Sequence, residues 1–288
     1  MATFFFTSDL HGSLDKYNLL LAAIRLHRPE AVFLGGDLLP GELLSLASSE
    51  PVHRDFLNSF LGPAIQRMRN EMGGDAPEIF VILGNDDPRF EEAAVMDLAS
   101  RGLWTYVHGR ICDFGRYRVL GYSYVPPTPF RLKDWERYDV SRYVDPGCIS
   151  PEEGQRTVPV SSNEARFSTI HDDLAAITGG EDTSDLLCLF HSPPYRSRLD
   201  RAALDGRFVD HVPLDVHIGS IAIQRYIIDR QPLITMHGHV HESTRLTGAW
   251  SEQSGRTWMF SGCHDGAELS LVRFDPERPS EAVRDLIQ

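Results

Sequence analysis

Apolar residues in this chain come in short dense runs, and each run is closed by a turn that carries glycine together with acidic or histidine residues. Thr3–Ser8 (Thr-Phe-Phe-Phe-Thr-Ser) reads as a strand and is followed by the turn Asp-Leu-His-Gly. Ser13 is placed to cap a helix whose apolar face is Leu14, Tyr17, Leu20, Leu21 and Ile24, and Pro29 ends that helix. Ala31–Leu34 is the next apolar run, stopped by Gly35-Gly36-Asp37. A second amphipathic stretch lies around Val52–Met72, and Ile79–Leu83 stops at Gly84-Asn85-Asp86-Asp87-Pro88. Strand, helix, strand, helix, strand predicts a mostly parallel sheet with helices outside it.

Beyond residue 110 the pattern changes. Ile111–Val125 alternates around Gly115 and reads as a hairpin. Residues 126–185 are richer in proline, glycine and charge, with one expected helix at Glu164–Ile177. This segment is expected to be an excursion near the active face, because both flanking strands should end there; the whole of 1–288 then forms a single domain. Leu186–Phe190 is again a strand, ended by His191-Ser192-Pro193-Pro194. A helix capped near Ser220 runs to Asp229, and Leu233–Met236 leads into His237-Gly238-His239. Thr257–Ser261 and Glu268–Phe274 give two more strands.

Five of these runs end in Asp, Asn or His: Asp9 with His11, Asp37, Asn85, His191, and His237 with His239. Each alone is an ordinary turn residue. In open α/β sheets, however, ligands bind beyond the carboxyl ends of the strands, so residues distant in sequence converge at one edge. Mixed oxygen and nitrogen donors suit Mn²⁺, Fe, Zn²⁺, Co²⁺ or Ni²⁺ better than Ca²⁺. Asp37 carries two oxygens and is able to bridge two cations.

The order Asp9-x-His11, Gly36-Asp37, Gly84-Asn85, His191 and the Gly238-flanked His237-x-His239 resembles the calcineurin-like metallophosphoesterase superfamily. The resemblance spans residues 9 to 239. It implies an α/β fold (α+β in some schemes), a four-layer αββα sandwich of two sheets wrapped by helices, with two divalent ions at the sheet edge, Mn²⁺ foremost. It further implies that Asp9, His11, Asp37 and His239 hold one ion, and that Asp37, Asn85, His191 and His237 hold the other. Two ions about 3.5–4 Å apart share a hydroxide that attacks a phosphoryl group in line. The family commonly has His directly after the Asn, where it protonates the leaving group; here that position is Asp86. An ionised Asp86 cannot donate a proton, which directs the expectation towards phosphodiesters. His264 and His241 are candidate replacements, and Asp87 is a candidate to orient its neighbour. The alternative is a metal-binding scaffold of the same fold with little or no catalysis.

Composition narrows the partners. The chain has 288 residues, 42% hydrophobic and 24% charged, enough apolar content for a core. Its net charge of −13 disfavours nucleic acid and anionic membrane surfaces, so the expected partner is a small phosphoester, with nucleotide-derived ones included. No window approaches the roughly 18 consecutive apolar residues of a membrane span, and the N-terminus shows no basic leader, so a cytoplasmic protein is expected. Four cysteines without C-x-x-C spacing exclude a zinc ribbon and a disulfide framework. His27, His53, His108, His171, His211 and His217 fit no ligand spacing and read as surface or structural. Arg196, Arg198 and Arg201 form a basic loop, either solvated or placed to hold a phosphate. Oligomeric state is left open.

Overall fold

A computed structural model describes residues 3–41 and 55–288; the start of the stretch expected at Val52–Met72, and His53 with it, lies outside the described residues. Two six-stranded sheets face each other. The first is built from β1 (Phe4–Thr7), β2 (Ala31–Gly35), β3 (Glu78–Ile82), β4 (Thr105–Tyr106), β13 (Leu269–Phe274) and β14 (Val283–Ile287), in the order β14-β13-β1-β2-β3-β4. The second is built from β5 (Arg110–Phe114), β6 (Tyr117–Tyr122), β7 (Leu186–Phe190), β10 (Ile234–His237), β11 (Ser251–Ser254) and β12 (Thr257–Ser261), in the order β11-β12-β10-β7-β6-β5. A small ribbon of β8 (Phe208–Val209) and β9 (Val212–Pro213) stands apart.

The apolar runs are continuous because these strands are covered on both faces. Phe4 and Phe6 of β1 point between the sheets, where they join Phe33, Phe80, Leu189, Met236 and Phe260 in a buried cluster. Phe5, between them, points the other way and packs with Val32, Tyr17 and Ile24 under the outer helices. The helix Leu14–His27 begins as its sequence dictates: Ser13 is extended and its hydroxyl accepts from the Lys16 N–H. It buries Tyr17, Leu20, Leu21, Ala23 and Ile24. The second sheet is covered by Ile221–Arg230, which Ser220 caps through the Ile223 N–H. The result is the expected four-layer arrangement.

β1 through β4 run parallel, as do β6, β7, β10 and β12, while β13 is antiparallel to β1. The carboxyl ends of β1, β2 and β3 therefore share one edge of the first sheet. Those of β7, β10 and β12 share one edge of the second. The hairpin expected around Gly115 is β5 and β6, with Gly115 at φ 60°. The single helix expected at Glu164–Ile177 is two helices, Ser162–Phe167 and Ile170–Thr178. Thr169 breaks it, being extended and accepting from the Asp172 N–H as the cap of the second helix.

Segment 126–185 is tied to the turn that follows β3. Asp134 accepts from the Arg89 N–H (2.7 Å) and Thr157 from the Phe90 N–H (3.1 Å). Asp139 in the same segment accepts from the Ser220 hydroxyl and from the Ile221 and Ala222 N–H groups at the start of the covering helix. Within it, the buried Lys133 ammonium is held by Glu136 and by the Thr128 carbonyl. Among the described residues no helix is long and apolar enough to cross a membrane.

Candidate metal centre

The two sheet edges meet through backbone and side-chain bonds. The Asp9 N–H donates to the Gly36 carbonyl (3.0 Å) and the His11 N–H to the Asp37 carbonyl (2.8 Å), which locks the turns after β1 and β2 together. The His191 ring, at the end of β7, crosses to the other sheet and donates from Nδ1 to the Gly35 carbonyl (2.8 Å). That bond turns Nε2 towards Asp37 and Asn85. This approach requires glycine: a Cβ on Gly36 would lie 2.6 Å from His191 Nδ1, and one on Gly84 would lie 2.6 Å from His191 Cε1.

Two groups of donors form around Asp37. Asp9, His11, Asp37 and His241 each offer an atom within 4.8 Å of the others. Within this group His241 Nε2 is 3.3 Å from Asp9 Oδ1 and 3.2 Å from His11 Nε2. In the second group His191 Nε2 lies 3.3 Å from Asp37 Oδ2 and 3.0 Å from Asn85 Oδ1, with the His239 ring beside His191 at 5.4 Å between centroids. Donors bound at about 2.1 Å to one tetrahedral or octahedral ion stand about 3.0–3.4 Å apart, so these spacings fit a shared cation. Asp9, Asp37, Asn85 and His191 are all buried, which ordinary turn residues are not.

Electrostatics point the same way. Burial opposes charge on His191, yet Asp37 beside it raises the ring to about 10. His241 is raised to about 9 by Asp9, again against burial. These histidines hold Asp9 well below the ordinary carboxylate range. Buried carboxylates here draw positive charge to themselves. Backbone strain accompanies it: Asp9 (φ 57°), His11 (φ 44°), Asp37 (φ 51°) and His239 (φ 76°) are all left-handed. Each such residue costs roughly 1–3 kcal/mol and persists where the surroundings impose it.

His237 lies apart from both donor groups. It is fully buried inside the end of β10, where Nδ1–H donates to the Ser192 carbonyl (2.9 Å) and Nε2 accepts from the Thr235 hydroxyl (2.7 Å). Both ring nitrogens are engaged away from Asp37, and burial lowers the ring to about 4. The residue that sequence reasoning placed elsewhere is His241. Its signal was present: Asp9 and Asp37 each stand two positions after their strand ends, and His239 stands two after His237, the end of β10. The spacing of His239-x-His241 from its strand end thus matches that of Asp9 and Asp37.

Asp86 stands at the mouth. Its N–H donates to Asp37 Oδ1 (2.8 Å), its Oδ1 accepts from Asn85 Nδ2 (3.1 Å), and its side chain is 50% exposed. Partial burial and then the Asp37 charge push its carboxyl up. Asp87 orients backbone and not its neighbour's side chain: fully buried, it accepts from the N–H groups of Leu38, Leu39 and Gly84. It thereby clamps the turn after β2 to the turn after β3. His264 pairs with Glu268 (3.0 Å) and lies outside both donor groups. Arg201 is paired with Asp205, Arg198 donates to the Thr247 carbonyl, and Arg196 lies over the Tyr195 ring. His108 is half-buried, accepts from the Ser123 N–H and is lowered to about 3, first by desolvation.

No family model matches the sequence, and no curated protein matches it. Among solved structures, TT1561 of Thermus thermophilus aligns over 100% of this chain and 99% of its own, with a TM-score of 0.58 at 15% identity. The phosphopantetheinyl hydrolase PptH from Mycobacterium tuberculosis aligns over 91% of this chain and 90% of its own, with a TM-score of 0.53 at 9% identity. At such identities the likeness is one of fold. The two packed sheets, their parallel centres and the covering helices give this chain a metallophosphoesterase-type sandwich, the fold expected from the order of its motifs.

Proposed function

We propose that the chain is a binuclear metal-dependent phosphoesterase that favours phosphodiesters over monoesters. The observation that carries this reading is Asp37, a buried carboxylate common to two donor groups of suitable spacing. Asp9, His11, Asp37 and His241 would hold one divalent ion, and Asp37, Asn85, His191 and His239 the other. Bound there, such ions supply an activated water and the positive charge that a phosphoryl group gathers in the transition state. The protein's own residues supply the rest. The Gly35 carbonyl fixes the His191 tautomer, and Asp87 fixes the spacing of the Asp37 and Asn85 turns. Mn²⁺ suits the mixed donors, and a small cytoplasmic phosphoester, nucleotide-derived ones included, suits an acidic chain.

The diester preference rests on Asp86. A carboxylate at the mouth repels a monoester dianion more than a singly charged diester. Near two dications it stays ionised and cannot protonate a leaving alkoxide, a service worth about 10²–10⁴-fold. Protein stripped by a chelator and reloaded with Mn²⁺ is therefore expected to hydrolyse aryl diesters faster than the matched monoesters. Asp86→His should raise turnover of alkyl esters by about tenfold or more and narrow that preference. Hydrolysis that ignores Mn²⁺ contradicts the reading. Two bound ions without hydrolysis of any ester in the panel would make the chain a metal-binding scaffold. A ratio unmoved by Asp86→His would remove Asp86 from substrate choice.

A further inference from the structure

Asp9 lies where the two sheets join, and its two oxygens have different surroundings. Oδ2 accepts from the Ser8 hydroxyl and from the Cys263 thiol, whose sulfur is 3.3 Å away. Oδ1 accepts from the His239 N–H (3.0 Å) and lies 3.3 Å from His241 Nε2. A carboxylate oxygen offers roughly two lone-pair directions. Oδ2 is thus saturated by two donors, while Oδ1 keeps one direction open on the side where His11, Asp37 and His241 converge.

Cys263 arrives from the second sheet, just past the end of β12, and is fully buried. Its backbone is held independently of the thiol. The N–H donates to Ser261 Oγ (3.2 Å), and the carbonyl accepts from Arg284 Nη2 (2.8 Å), a residue of β14. The sulfur is therefore presented to Asp9 by a frame that does not need that contact. We propose that Cys263, together with Ser8, fixes Asp9 as a one-oxygen metal ligand, which makes Cys263 a positioning residue of the metal centre. This rests on the metal-centre reading above. The thiol acts through Asp9: with Oδ2 occupied, the carboxylate cannot rotate to chelate an ion with both oxygens, and Oδ1 stays aimed between His11 and His241.

The test uses the full chain with Cys263→Ala and Cys263→Ser, and two readouts. Mn²⁺ binding by calorimetry should show one of two sites weakened about 10-fold or more in Cys263→Ala, the size typical of losing a partner behind a ligand. The other site should be unchanged, and Cys263→Ser, which restores an O–H donor on a shorter bond, should recover part of the lost affinity. In the metal-free protein, the infrared S–H stretch of Cys263 should lie lower than those of Cys112, Cys148 and Cys188, and should move up in Asp9→Ala. Unchanged Mn²⁺ affinity in Cys263→Ala overturns the proposal, as does equal weakening by Ala and Ser, which would mark the side chain as mere filling. An S–H stretch insensitive to Asp9→Ala overturns it as well. Absence of Mn²⁺ binding by the wild type, with the infrared signature intact, instead contradicts the metal-centre reading on which the proposal stands.

Discussion

Asp37→Ala is expected to bring hydrolysis of aryl phosphodiesters to background and to reduce bound Mn²⁺ from two ions per chain to less than one. The size follows from what a bridge does. Paired ions contribute several kcal/mol of charge stabilisation, and about tenfold in rate goes with each 1.36 kcal/mol, so the loss should reach about 10³-fold. Among the described residues no other carboxylate is shared by the two donor groups: Asp9 faces His241, and Asp86 is turned to the mouth. The substitution also frees the Asp86 N–H and leaves His191 Nε2 without its 3.3 Å neighbour. Circular dichroism should nonetheless report an intact fold, because the turns after β2 and β3 are clamped by Asp87. Titrated metal content and initial rates check the prediction, and a fully metallated, fully active variant would refute the assignment of Asp37.

The second large effect separates two histidines four positions apart. His241→Ala should weaken one Mn²⁺ site by at least 10–100-fold, roughly the loss seen even for groups one layer behind a ligand, and activity should fall with it. His237→Ala should do something different. Its ring is buried between Ser192 and Thr235, so truncation leaves a cavity and two unsatisfied partners. The expected cost is about 2–5 kcal/mol of stability, read as a lower denaturant midpoint, with both ions retained at saturating Mn²⁺. Calorimetric metal binding beside a denaturation curve for each variant distinguishes the two. If His237→Ala loses an ion while His241→Ala keeps both, the register of the site is the other one.

That register is also where the sequence was hardest to read. Met236-His237-Gly238-His239-Val240-His241 holds two overlapping pairs of histidines at identical spacing, and only the strand boundary chooses between them. Because β10 extends through His237, that side chain stays in the pleat on the face of Thr235, and the chain turns towards the site only afterwards. Asp9, Asp37, Asn85 and His191 had no such ambiguity, since each follows a short, largely apolar strand and is the first Asp, Asn or His after it. The doubly covered strands were legible for the same reason. β11 (Ser-Glu-Gln-Ser) and β14 (Val-Arg-Asp-Leu-Ile) were not, because edge strands are defined by their partners: β11 has no apolar residue, and Arg-Asp interrupts the apolar run of β14. Likewise the role of Asp87 depends on three backbone N–H groups from two different turns. Nothing in the local sequence Asn-Asp-Asp-Pro distinguishes its buried carboxylate from the half-exposed one of Asp86.

The sharing of Asp37 by two ions is the central claim, and electron paramagnetic resonance of the Mn²⁺-loaded protein tests it most directly. Two Mn²⁺ ions joined through one carboxylate should give an exchange-coupled multiline spectrum at two ions per chain, replaced in Asp37→Ala by the six-line signal of isolated Mn²⁺. A wild-type protein that binds a single ion, or two that show only uncoupled six-line spectra, would contradict the account.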